Sequence, residues 1–320
     1  MTRLGYQIPN FTYPGVAPAD IFDNVVAQAK AAEAAGYDRV FVMDHFYQLP
    51  MIGAADEPMF ECYAMLSALA QHTKRVGLSA LVTCNTYRNP ALLAKAITTL
   101  DHVSNGRATL GIGCGWFEKE HVGLGFEFGT FTDRFEKLEE ALQIIVPMLR
   151  GERRTFSGKH YQVTEAINSP QPISRIPIMI GGQGEKKTLR MVAQYADESS
   201  LVGSNADIPR KLDALAAHCE RLGRDRSEIT VTKLQMIAVA PTREELDADF
   251  RAIADVKGWS DAQIEAAKKA LITGDPDTVG RILEDAVAKG LDGLAVDLPV
   301  NGHNPERIAL LGAIANKVLG

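Results

Sequence analysis

The stretch GDPDTVGRILEDAVAKGLDGLAVD, residues 274–297, contains one helix and one strand with legible boundaries. Asp275 is suited to cap the helix, and Pro276 fits its first turn. The apolar positions of the helix share one face: Val279, Ile282, Leu283, Ala286 and Val287. Gly290 then ends the helix, and an apolar run of strand length begins at Leu291. The stretch therefore predicts a helix followed by a strand, as in α/β folds.

Apolar runs of strand length recur along the chain, with helical patterns between most of them. They cover residues 4–9, 39–43, 76–82, 108–112, 177–180, 198–202, 229–238 and 291–297. Alternating strands and helices predict a parallel sheet with both faces covered. Eight such units in 320 residues fit a closed (β/α)8 TIM barrel better than an open sheet. We therefore predict one barrel domain, residues 1–320.

Three segments interrupt this alternation. Residues 116–133, rich in Gly and Phe, follow the fourth strand and precede a predicted helix at 134–149. Residues 155–164, with Ser157-Gly158 at their centre, predict a small hairpin before the fifth strand. Residues 241–270 precede the last unit. The barrel is therefore expected to carry insertions after strands 4 and 7.

The composition excludes several classes of protein. A formal net charge of −6 argues against nucleic-acid binding, which needs a basic surface. No apolar run reaches the length of a membrane span, and the chain enters its first strand without a signal peptide. The four cysteines lack C-x-x-C spacing, so we expect reduced thiols in a cytoplasmic protein. No metal site is predicted.

Functional residues of such barrels lie at the C-terminal ends of the strands. Asp44 and His45 follow the second strand, where they can act as an acid/base pair or bind a polar ring. Neighbours along a strand point to opposite faces, so at most one of the two need face the cavity. The alternative is an Asp that caps a helix beside a purely structural His.

Small side chains follow the third and fourth strands. Thr83 and Asn85 can give hydrogen bonds to a flat heterocycle. Gly113 and Gly115 alternate with other residues and can let a ligand approach the backbone closely. Cys114 between them has no local His signature, so we expect it to line the cavity rather than act as a nucleophile.

A glycine-rich turn follows the fifth strand. Gly181, Gly182, Gln183 and Gly184 precede Lys186 and Lys187 at a predicted helix start. Backbone N–H groups, the helix dipole and the lysines would all attract a phosphate. The turn lacks the Walker spacing, so a nucleotide triphosphate is not implied. The alternative is a tight turn with exposed lysines.

Together these motifs resemble the bacterial luciferase-like superfamily and, within it, the oxidoreductases that depend on the deazaflavin coenzyme F420. The resemblance covers nearly the whole chain. It is carried by Leu4-Gly5-Tyr6, Asp44-His45, residues 86–90, residues 111–116 with Glu118 and Glu120, Arg134 with Glu139-Glu140, Gly181-Gly182, and residues 274–277. Each motif is weak by itself, but their order and spacing are specific to the superfamily.

The resemblance implies a barrel that binds a flavin or deazaflavin at its C-terminal mouth. It also implies a non-prolyl cis peptide bond near Ala80-Leu81. The residues expected to bind the cofactor are Asp44, Ala80, Leu81, Thr83, Asn85, Arg88, Gly113, Cys114, Gly115, Gly181, Gly182, Gln183, Gly184 and Lys186. The turn at residues 181–184 would hold the phosphate, with Arg88, Lys186 and Lys187 available for the acidic tail.

Two departures narrow the implied function. Sugar-phosphate dehydrogenases of this family place a Trp shortly after the Asp-His pair, where this chain reads Tyr47-Gln48-Leu49. They place a Glu acid after the fourth strand, where this chain has Cys114. Both departures argue against a glucose 6-phosphate substrate and leave His45, with Asp44 beside it, as the expected catalytic group.

The leading hypothesis is hydride transfer between coenzyme F420 and a small organic substrate. The first alternative is an FMN-dependent monooxygenase on the same barrel. The second is a non-catalytic protein that binds a flavin or deazaflavin. A homodimer is expected from the resemblance alone.

Overall fold

The computed structural model describes residues 2–320 and contains a closed barrel of eight parallel strands surrounded by helices. The strands in chain order are β1 (Leu4–Ile8), β2 (Arg39–Val42), β3 (Gly77–Ala80), β4 (Thr83–Cys84), β5 (Ala108–Gly113), β6 (Arg154–Ser157), β7 (Gln162–Ala166), β8 (Ile178–Gly181), β9 (Glu198–Leu201), β10 (Thr230–Val239), β11 (Ile272–Gly274) and β12 (Leu294–Asp297). Of these, β4 pairs with β5 and β11 with β10 as short extensions, and β6 and β7 form a separate antiparallel pair.

Parallel pairing closes the barrel. The order around it is β1, β2, β3, β5, β8, β9, β10 and β12, and β12 pairs with β1 again. Each of the eight predicted apolar runs overlaps one of these strands. The prediction of a (β/α)8 barrel is therefore confirmed.

The helices pack around the outside of the barrel. They are α1 (Ile21–Ala34), α2 (Cys62–His72), α3 (Pro90–Val103), α4 (Glu118–Leu124), α5 (Phe131–Leu149), α6 (Thr188–Tyr195), α7 (Ile208–Leu222), α8 (Arg243–Lys257), α9 (Asp261–Ala270), α10 (Pro276–Ala288) and α11 (Pro305–Leu319). The Asp275 carboxylate caps α10 by accepting from the N–H of Thr278 at 2.8 Å, as its sequence predicts. Among residues 2–320, no helix combines the length and apolar character needed to cross a bilayer.

Side chains that point into the barrel form three levels along its axis. At the N-terminal end, Arg39 and Glu198 form a buried ion pair at 2.8 Å. The middle level is apolar and includes Phe41, Met179 and Ala295. At the C-terminal end, Gln7 and Asp297 lie in register on neighbouring strands, and both are buried.

The segments outside the regular alternation have defined structure. Residues 116–133 contain α4, and the following helix α5 begins at Phe131. A capping box at Thr130 and Asp133 explains this early start. The predicted hairpin at 155–164 is present as β6 and β7. Residues 241–270 contain α8 and α9, which pack on a small apolar cluster that includes Leu246 and Phe250.

A non-prolyl cis peptide bond joins Leu81 and Val82, one bond later than the expected Ala80-Leu81 position. The N–H of Leu81 still donates to the Val42 carbonyl at 3.0 Å. Backbone pairing with β2 therefore continues through Leu81, and the chain leaves the sheet after it.

Candidate active site

His45 follows β2, and a buried carboxylate holds its ring. His45 Nδ1 lies 2.8 Å from Oε2 of Glu120 in α4. The Tyr87 hydroxyl donates to the same oxygen at 2.6 Å. The backbone N–H groups of Phe46 and Tyr47 donate to Oε1. Glu120 is fully buried, so its two oxygens are satisfied entirely by these groups.

The ionisation of Glu120 decides the tautomer of His45. Burial would raise the pKa of Glu120, but the hydrogen bonds from His45, Tyr87 and the Tyr47 N–H outweigh burial and lower that pKa below its ordinary value. Glu120 is therefore a carboxylate at neutral pH. A carboxylate only accepts hydrogen bonds, so His45 Nδ1 carries a proton. His45 Nε2 has no hydrogen-bond partner within residues 2–320 and is free to exchange a proton with a ligand.

Aromatic rings fix the plane of the His45 ring. The ring packs edge-on against Trp116 at 5.7 Å and Phe117 at 6.0 Å between centroids. Phe117 is buried, whereas Trp116 is 54% exposed. The exposed indole beside the His45 ring provides a large apolar surface that a substrate can contact.

Asp44 points away from His45 and binds a different partner, as expected for neighbours at a strand end. Its carboxylate accepts two hydrogen bonds from the Arg88 guanidinium, at 2.6 and 2.9 Å, and one from the Cys84 N–H at 2.9 Å. Arg88 also pairs with Glu61 and stacks over the Tyr63 ring at 4.9 Å. Burial alone would lower the pKa of Arg88, but Asp44 and Glu61 raise it above its ordinary value. Asp44 and Arg88 therefore bind each other and join the ends of β2 and α3.

Four predicted residues lie around the end of β3. Ala80 is buried at the last position of the strand, and Leu81 packs against the apolar level inside the barrel. Thr83 is buried and shares a 2.8 Å hydrogen bond with the Tyr63 hydroxyl. The Asn85 amide donates to the Tyr161 hydroxyl at 3.4 Å, and its buried Oδ1 has no partner among residues 2–320. Asn85 Oδ1 is therefore an acceptor that a ligand can use.

The glycines at the ends of β5 and β8 accommodate neighbouring side chains. A Cβ at Gly113 would lie 2.9 Å from Cγ2 of Val82, and one at Gly181 would lie 2.8 Å from Cγ1 of Val82. At Gly115, which has φ +79°, a Cβ would lie 2.6 Å from Cys84 Sγ. The close approach that these glycines permit is therefore made by Val82 and Cys84 themselves.

Cys114 is half-buried between Gly113 and Gly115. Burial raises the pKa of its thiol above the ordinary value, and the positive charges of Arg134 and Lys187 offset this only in part. A thiol in this state is a poor nucleophile at neutral pH. These properties favour a residue that lines the cavity.

The glycine-rich turn offers unpaired backbone donors. Gly182 has φ +130°, and its N–H donates to the Ser200 carbonyl at 3.0 Å. The N–H groups of residues 183–186 donate to no other group in the described part of the chain. Lys186 is exposed, and α6 begins at Thr188. The turn therefore presents Gln183, Gly184 and Lys186 to solvent, while Gly181 and Gly182 hold it to the barrel.

Sequence reasoning missed a second histidine near the mouth. His121 is fully buried; its Nδ1 donates to the Phe117 carbonyl at 2.8 Å, so its Nε2 accepts from the Thr86 hydroxyl at 2.6 Å. Burial lowers the pKa of His121, which keeps its ring neutral. Glu120 and Tyr87 were also not predicted as site residues, although both stand in motifs that carry the resemblance. Their position in those motifs was the only available indication.

One wall of the mouth is apolar. Met43, Leu49, Ile52 and Phe117 form a cluster, and Tyr47, Met59 and Met236 pack against it. Met43 follows β2 and Met236 lies on β10, so the cluster reaches from one strand end to another. A buried basic side chain adjoins this cluster, because Lys257 Nζ donates to the Ile52 carbonyl at 3.1 Å. The side chains on this side of His45 are therefore mainly apolar and buried.

One group of possible metal ligands occurs within residues 2–320, formed by Asp133, Glu136 and His160. The ammonium group of Lys159 lies 2.8 Å from Glu136 and 3.6 Å from Asp133. His160 Nε2 lies 3.0 Å from the same Glu136 oxygen. The side chains of Lys159 and His160 therefore account for this acidic group without a metal.

The comparisons with known proteins agree with this fold. A relative from Amycolatopsis mediterranei, an F420-dependent glucose-6-phosphate dehydrogenase, is 26% identical over 96% of this chain and 95% of its own. A pyrimidine monooxygenase from Acinetobacter baylyi is 28% identical over 68% of this chain and 58% of its own. The solved structure of an F420-dependent secondary alcohol dehydrogenase, in complex with an F420-acetone adduct, covers 100% of this chain and 99% of its own with a TM-score of 0.79 and 20% identity.

The family assignment rests on a match along most of the chain. A sequence profile described as luciferase-like monooxygenase matches residues 2–292. This match includes Asp44, His45, the β5 glycines and the turn at residues 181–184. The superfamily predicted from the motifs is thereby confirmed, and the chain belongs to the luciferase-like monooxygenase family.

Proposed function

We propose that the protein is an F420-dependent oxidoreductase that transfers a hydride between the deazaflavin and a small organic substrate at the C-terminal mouth of the barrel. The observation that carries the proposal is His45, whose Nδ1 is held by Glu120 at 2.8 Å and whose Nε2 is unpaired. A group that exchanges protons beside the mouth is what hydride transfer to or from a polar bond requires. The relative and the solved structure whose names specify F420 support the choice of cofactor.

The residues at the mouth fit a phosphorylated deazaflavin. Unpaired N–H groups at residues 183–186 and the exposed Lys186 suit a phosphate, and Asn85 Oδ1 can accept from a ring N–H. The residues proposed to hold the cofactor are Ala80, Leu81, Thr83, Asn85, Cys114, Gly182, Gln183, Gly184 and Lys186, while Gly113, Gly115 and Gly181 are proposed to shape its site by making room for Val82 and Cys84. Arg88 and Asp44 already neutralise each other, so we assign them to holding this end of the barrel in shape.

The proposed chemistry divides between cofactor and protein. When bound, the deazaflavin supplies or accepts the hydride. In the direction of carbonyl reduction, protonated His45 gives its Nε2 proton to the substrate oxygen as the carbon receives the hydride. In the direction of alcohol oxidation, neutral His45 takes the hydroxyl proton at Nε2. The Glu120 carboxylate stabilises the imidazolium in both directions and keeps its orientation fixed.

The proposed substrate is small, organic and uncharged. The wall beside His45 consists of Met43, Leu49, Ile52 and Phe117, with Met236 against them. A sugar phosphate would lose hydration against these apolar side chains. The departures at Tyr47 and Cys114 point in the same direction.

A monooxygenase that uses FMN is the second candidate. The description of the family profile and the similarity to a pyrimidine monooxygenase favour it. The same mouth would hold the flavin, and the phosphate would again lie at the glycine-rich turn. Which cofactor binds decides between the two activities.

Titration of the purified protein with F420 and with FMN tests the proposal. We expect F420 to bind at least tenfold more tightly, a difference of about 1.4 kcal/mol. The absorbance of F420 should then change with secondary alcohols or ketones as substrates, and this change should depend on His45. Tighter binding of FMN with oxygen consumption would establish the monooxygenase instead. Binding of F420 without turnover across the panel would establish a binding protein.

The oligomeric state is a separate proposal. We propose a homodimer on the resemblance to the family alone. Sedimentation equilibrium at micromolar protein measures it, and a mass equal to one chain would contradict it.

A further inference from the structure

Gln7 and Asp297 place two buried polar side chains next to each other inside the barrel, at the C-terminal ends of β1 and β12. Gly5 faces the interior, because a Cβ there would collide with the ring of Phe41. Gln7 is two positions further along the strand and therefore faces the same way. Asp297 is the register partner of Gln7, as Ala295 is of Gly5. Register partners on neighbouring strands lie about 4.8 Å apart, so the two side chains are adjacent.

The pair contains two oxygen atoms for which the surrounding residues supply no donor. Oε1 of Gln7 and Oδ1 of Asp297 are both buried, and neither has a hydrogen-bond partner within residues 2–320. Each residue is only 1% exposed. The register partner of Asp297 on its other side is Met236, whose side chain has no group that can donate. A buried acceptor without a donor destabilises a fold, so an arrangement that satisfies both oxygens is favoured.

The amide group of Gln7 has one favourable orientation. Its Nε2 donates to the Leu81 carbonyl at 3.1 Å. Exchange of the amide nitrogen and oxygen would place two carbonyl oxygens against each other, so Oε1 stays on the side away from Leu81. An amide oxygen and a carboxylate can only accept hydrogen bonds, whereas a protonated carboxyl group carries one O–H. A proton on Asp297 therefore supplies the donor that the pair lacks.

The surroundings of Asp297 favour the protonated form. Burial raises the pKa of the Asp297 carboxyl group well above its ordinary value, because a buried carboxylate loses its hydration. The side chains of its register partners, Gln7 on β1 and Met236 on β10, carry no charge. They therefore offer an ionised Asp297 no compensating charge.

The nearest titratable groups do not stabilise an Asp297 carboxylate either. Tyr6 on β1 points away from the interior and donates its hydroxyl proton to Gln28 at 3.0 Å. Arg39 and Glu198 also face the interior, but they lie at the N-terminal end of the barrel and pair with each other at 2.8 Å. Their charges therefore neutralise each other rather than act on Asp297.

We infer that Asp297 is a neutral carboxylic acid in the folded protein and that its O–H donates to Oε1 of Gln7. This hydrogen bond fixes the Gln7 amide, and the amide in turn holds the Leu81 carbonyl through Nε2. Asp297 is therefore a positioning residue for Leu81, which lies directly after β3. Its effect on cofactor binding rests on the proposed function, which places Leu81 at the deazaflavin site, but its protonation does not.

The pH dependence of unfolding tests the protonation. The unfolded chain releases the Asp297 proton above the ordinary pKa of 3.8, whereas the folded protein keeps it up to the raised value. The stability from this group is therefore complete below pH 3.8 and is lost as the pH rises toward the raised folded pKa. From about pH 5 to pH 7, the unfolding constant of the wild type should rise about tenfold per pH unit relative to that of Asp297→Asn. Urea unfolding measures both constants.

The matched control for this measurement is Asp277→Asn. Asp277 is exposed in the first turn of α10, so its replacement should show no such slope relative to the wild type. Asp297→Asn keeps the size of the side chain and has an N–H that can donate to Gln7 in place of the O–H. A wild type and an Asp297→Asn variant with parallel pH dependences would show that Asp297 is ionised in the folded protein.

Infrared spectroscopy of the wild-type protein tests the same point without a variant. At neutral pH, protein labelled with ¹³C-aspartate should show the shifted C=O band of a protonated carboxyl group. The band should be absent from Asp297→Asn and present in Asp277→Asn. An Asp297 carboxylate solvated by a buried water would give neither the band nor the relative slope in unfolding. Absence of either signal overturns the inference.

Titration with F420 tests the positioning role. Asp297→Leu removes the donor and leaves Oε1 of Gln7 unpaired, so the amide is free to turn away from Leu81. The affinity for F420 should fall about tenfold in this variant and in Gln7→Leu, whereas the conservative Asp297→Asn should restore it. Wild-type affinity in both leucine variants would overturn the positioning role. Failure of the wild-type protein to bind F420 would contradict the proposed function and leave the unfolding and infrared measurements unaffected.

Discussion

On one side of the barrel mouth a buried charge is fully matched by hydrogen-bond donors, and on the other side buried charges have only neutral partners. On the β2 side, the Glu120 carboxylate receives hydrogen bonds from His45, Tyr87 and two backbone N–H groups, so every part of the charge is matched. On the β8–β10 side, Lys211 and Lys233 have only neutral acceptors, and the turn above them keeps unpaired N–H groups. A matched charge holds a side chain in one orientation, whereas an unmatched one attracts a ligand. We therefore expect substitutions on the β2 side to affect turnover and those on the other side to affect binding.

The largest expected effect is on turnover at His45. His45→Ala removes the proposed proton donor and acceptor, and general acid–base assistance is typically worth about 10²–10⁴ in rate. Turnover should fall by about that factor while F420 affinity changes far less. Single-turnover rates and F420 titration measure the two separately. Loss of affinity with turnover preserved at saturating F420 would show that His45 binds the deazaflavin ring instead.

The next effect is on stability at Glu120. Glu120→Gln keeps the size of the side chain but replaces one acceptor oxygen by a donor, so it leaves buried hydrogen-bond donors unpaired. We expect the free energy of unfolding to fall by about 1.5–3 kcal/mol at neutral pH. Urea unfolding measures this. Tyr87→Phe removes only one of the four hydrogen bonds and should cost less, about 0.5–1.5 kcal/mol. Equal losses of unfolding free energy in the two variants would contradict the conclusion that the Glu120 carboxylate accepts all four hydrogen bonds.

The same carboxylate predicts a pH dependence. The pKa of Glu120 is lower in the folded protein than its ordinary value of 4.5. Its contribution to stability is therefore complete above pH 4.5 and is lost as the pH falls through the lowered folded value. The difference in unfolding free energy between wild type and Glu120→Gln should shrink across that acidic range. A difference that stays constant with pH would show that Glu120 does not contribute through its charge.

A smaller effect is expected at the glycine-rich turn. Gly182→Val places a branched side chain at φ +130° with a Cβ 3.2 Å from Thr188 Cγ2. This should distort the turn and weaken F420 binding at least tenfold, about 1.4 kcal/mol. Gly258→Val is the matched control, since Gly258 also has positive φ but faces open space at the end of α8. Equal F420 affinity in folded Gly182→Val and wild type would rule out this turn as the phosphate site.

The smallest effect is expected at Cys114, which lies between the two sides. Cys114→Ser should keep most of the turnover, because a protonated thiol that lines the cavity does not act in the reaction. Steady-state rates of the variant measure this. A loss of several orders of magnitude with intact F420 binding would make Cys114 a nucleophile after all.

The sequence was sufficient for the order of elements because each depends on neighbouring residues. Asp275 caps the helix that its own position predicts, and all eight apolar runs became barrel strands. Prediction from the sequence was weaker for contacts between residues that are far apart in the chain. His45 and Glu120 are 75 positions apart, and nothing in the residues around either one specifies the other. The cis bond expected near Ala80-Leu81 lies at Leu81-Val82.

The sequence by itself thus determined which residues form strands and helices, and which side chains stand at the strand ends, since periodicity and caps are local properties. Only the tertiary structure decided the partners of those side chains. Closure of the barrel placed Asp44 against Arg88 and His45 against Glu120. It also placed the Val82 side chain in the space beside Gly113 and Gly181. It also buried Lys211 and Lys233 beside neutral acceptors only. These pairings follow from strand register and helix packing, which bring together residues that are far apart in the chain. The sequence around one such residue does not indicate which partner it contacts.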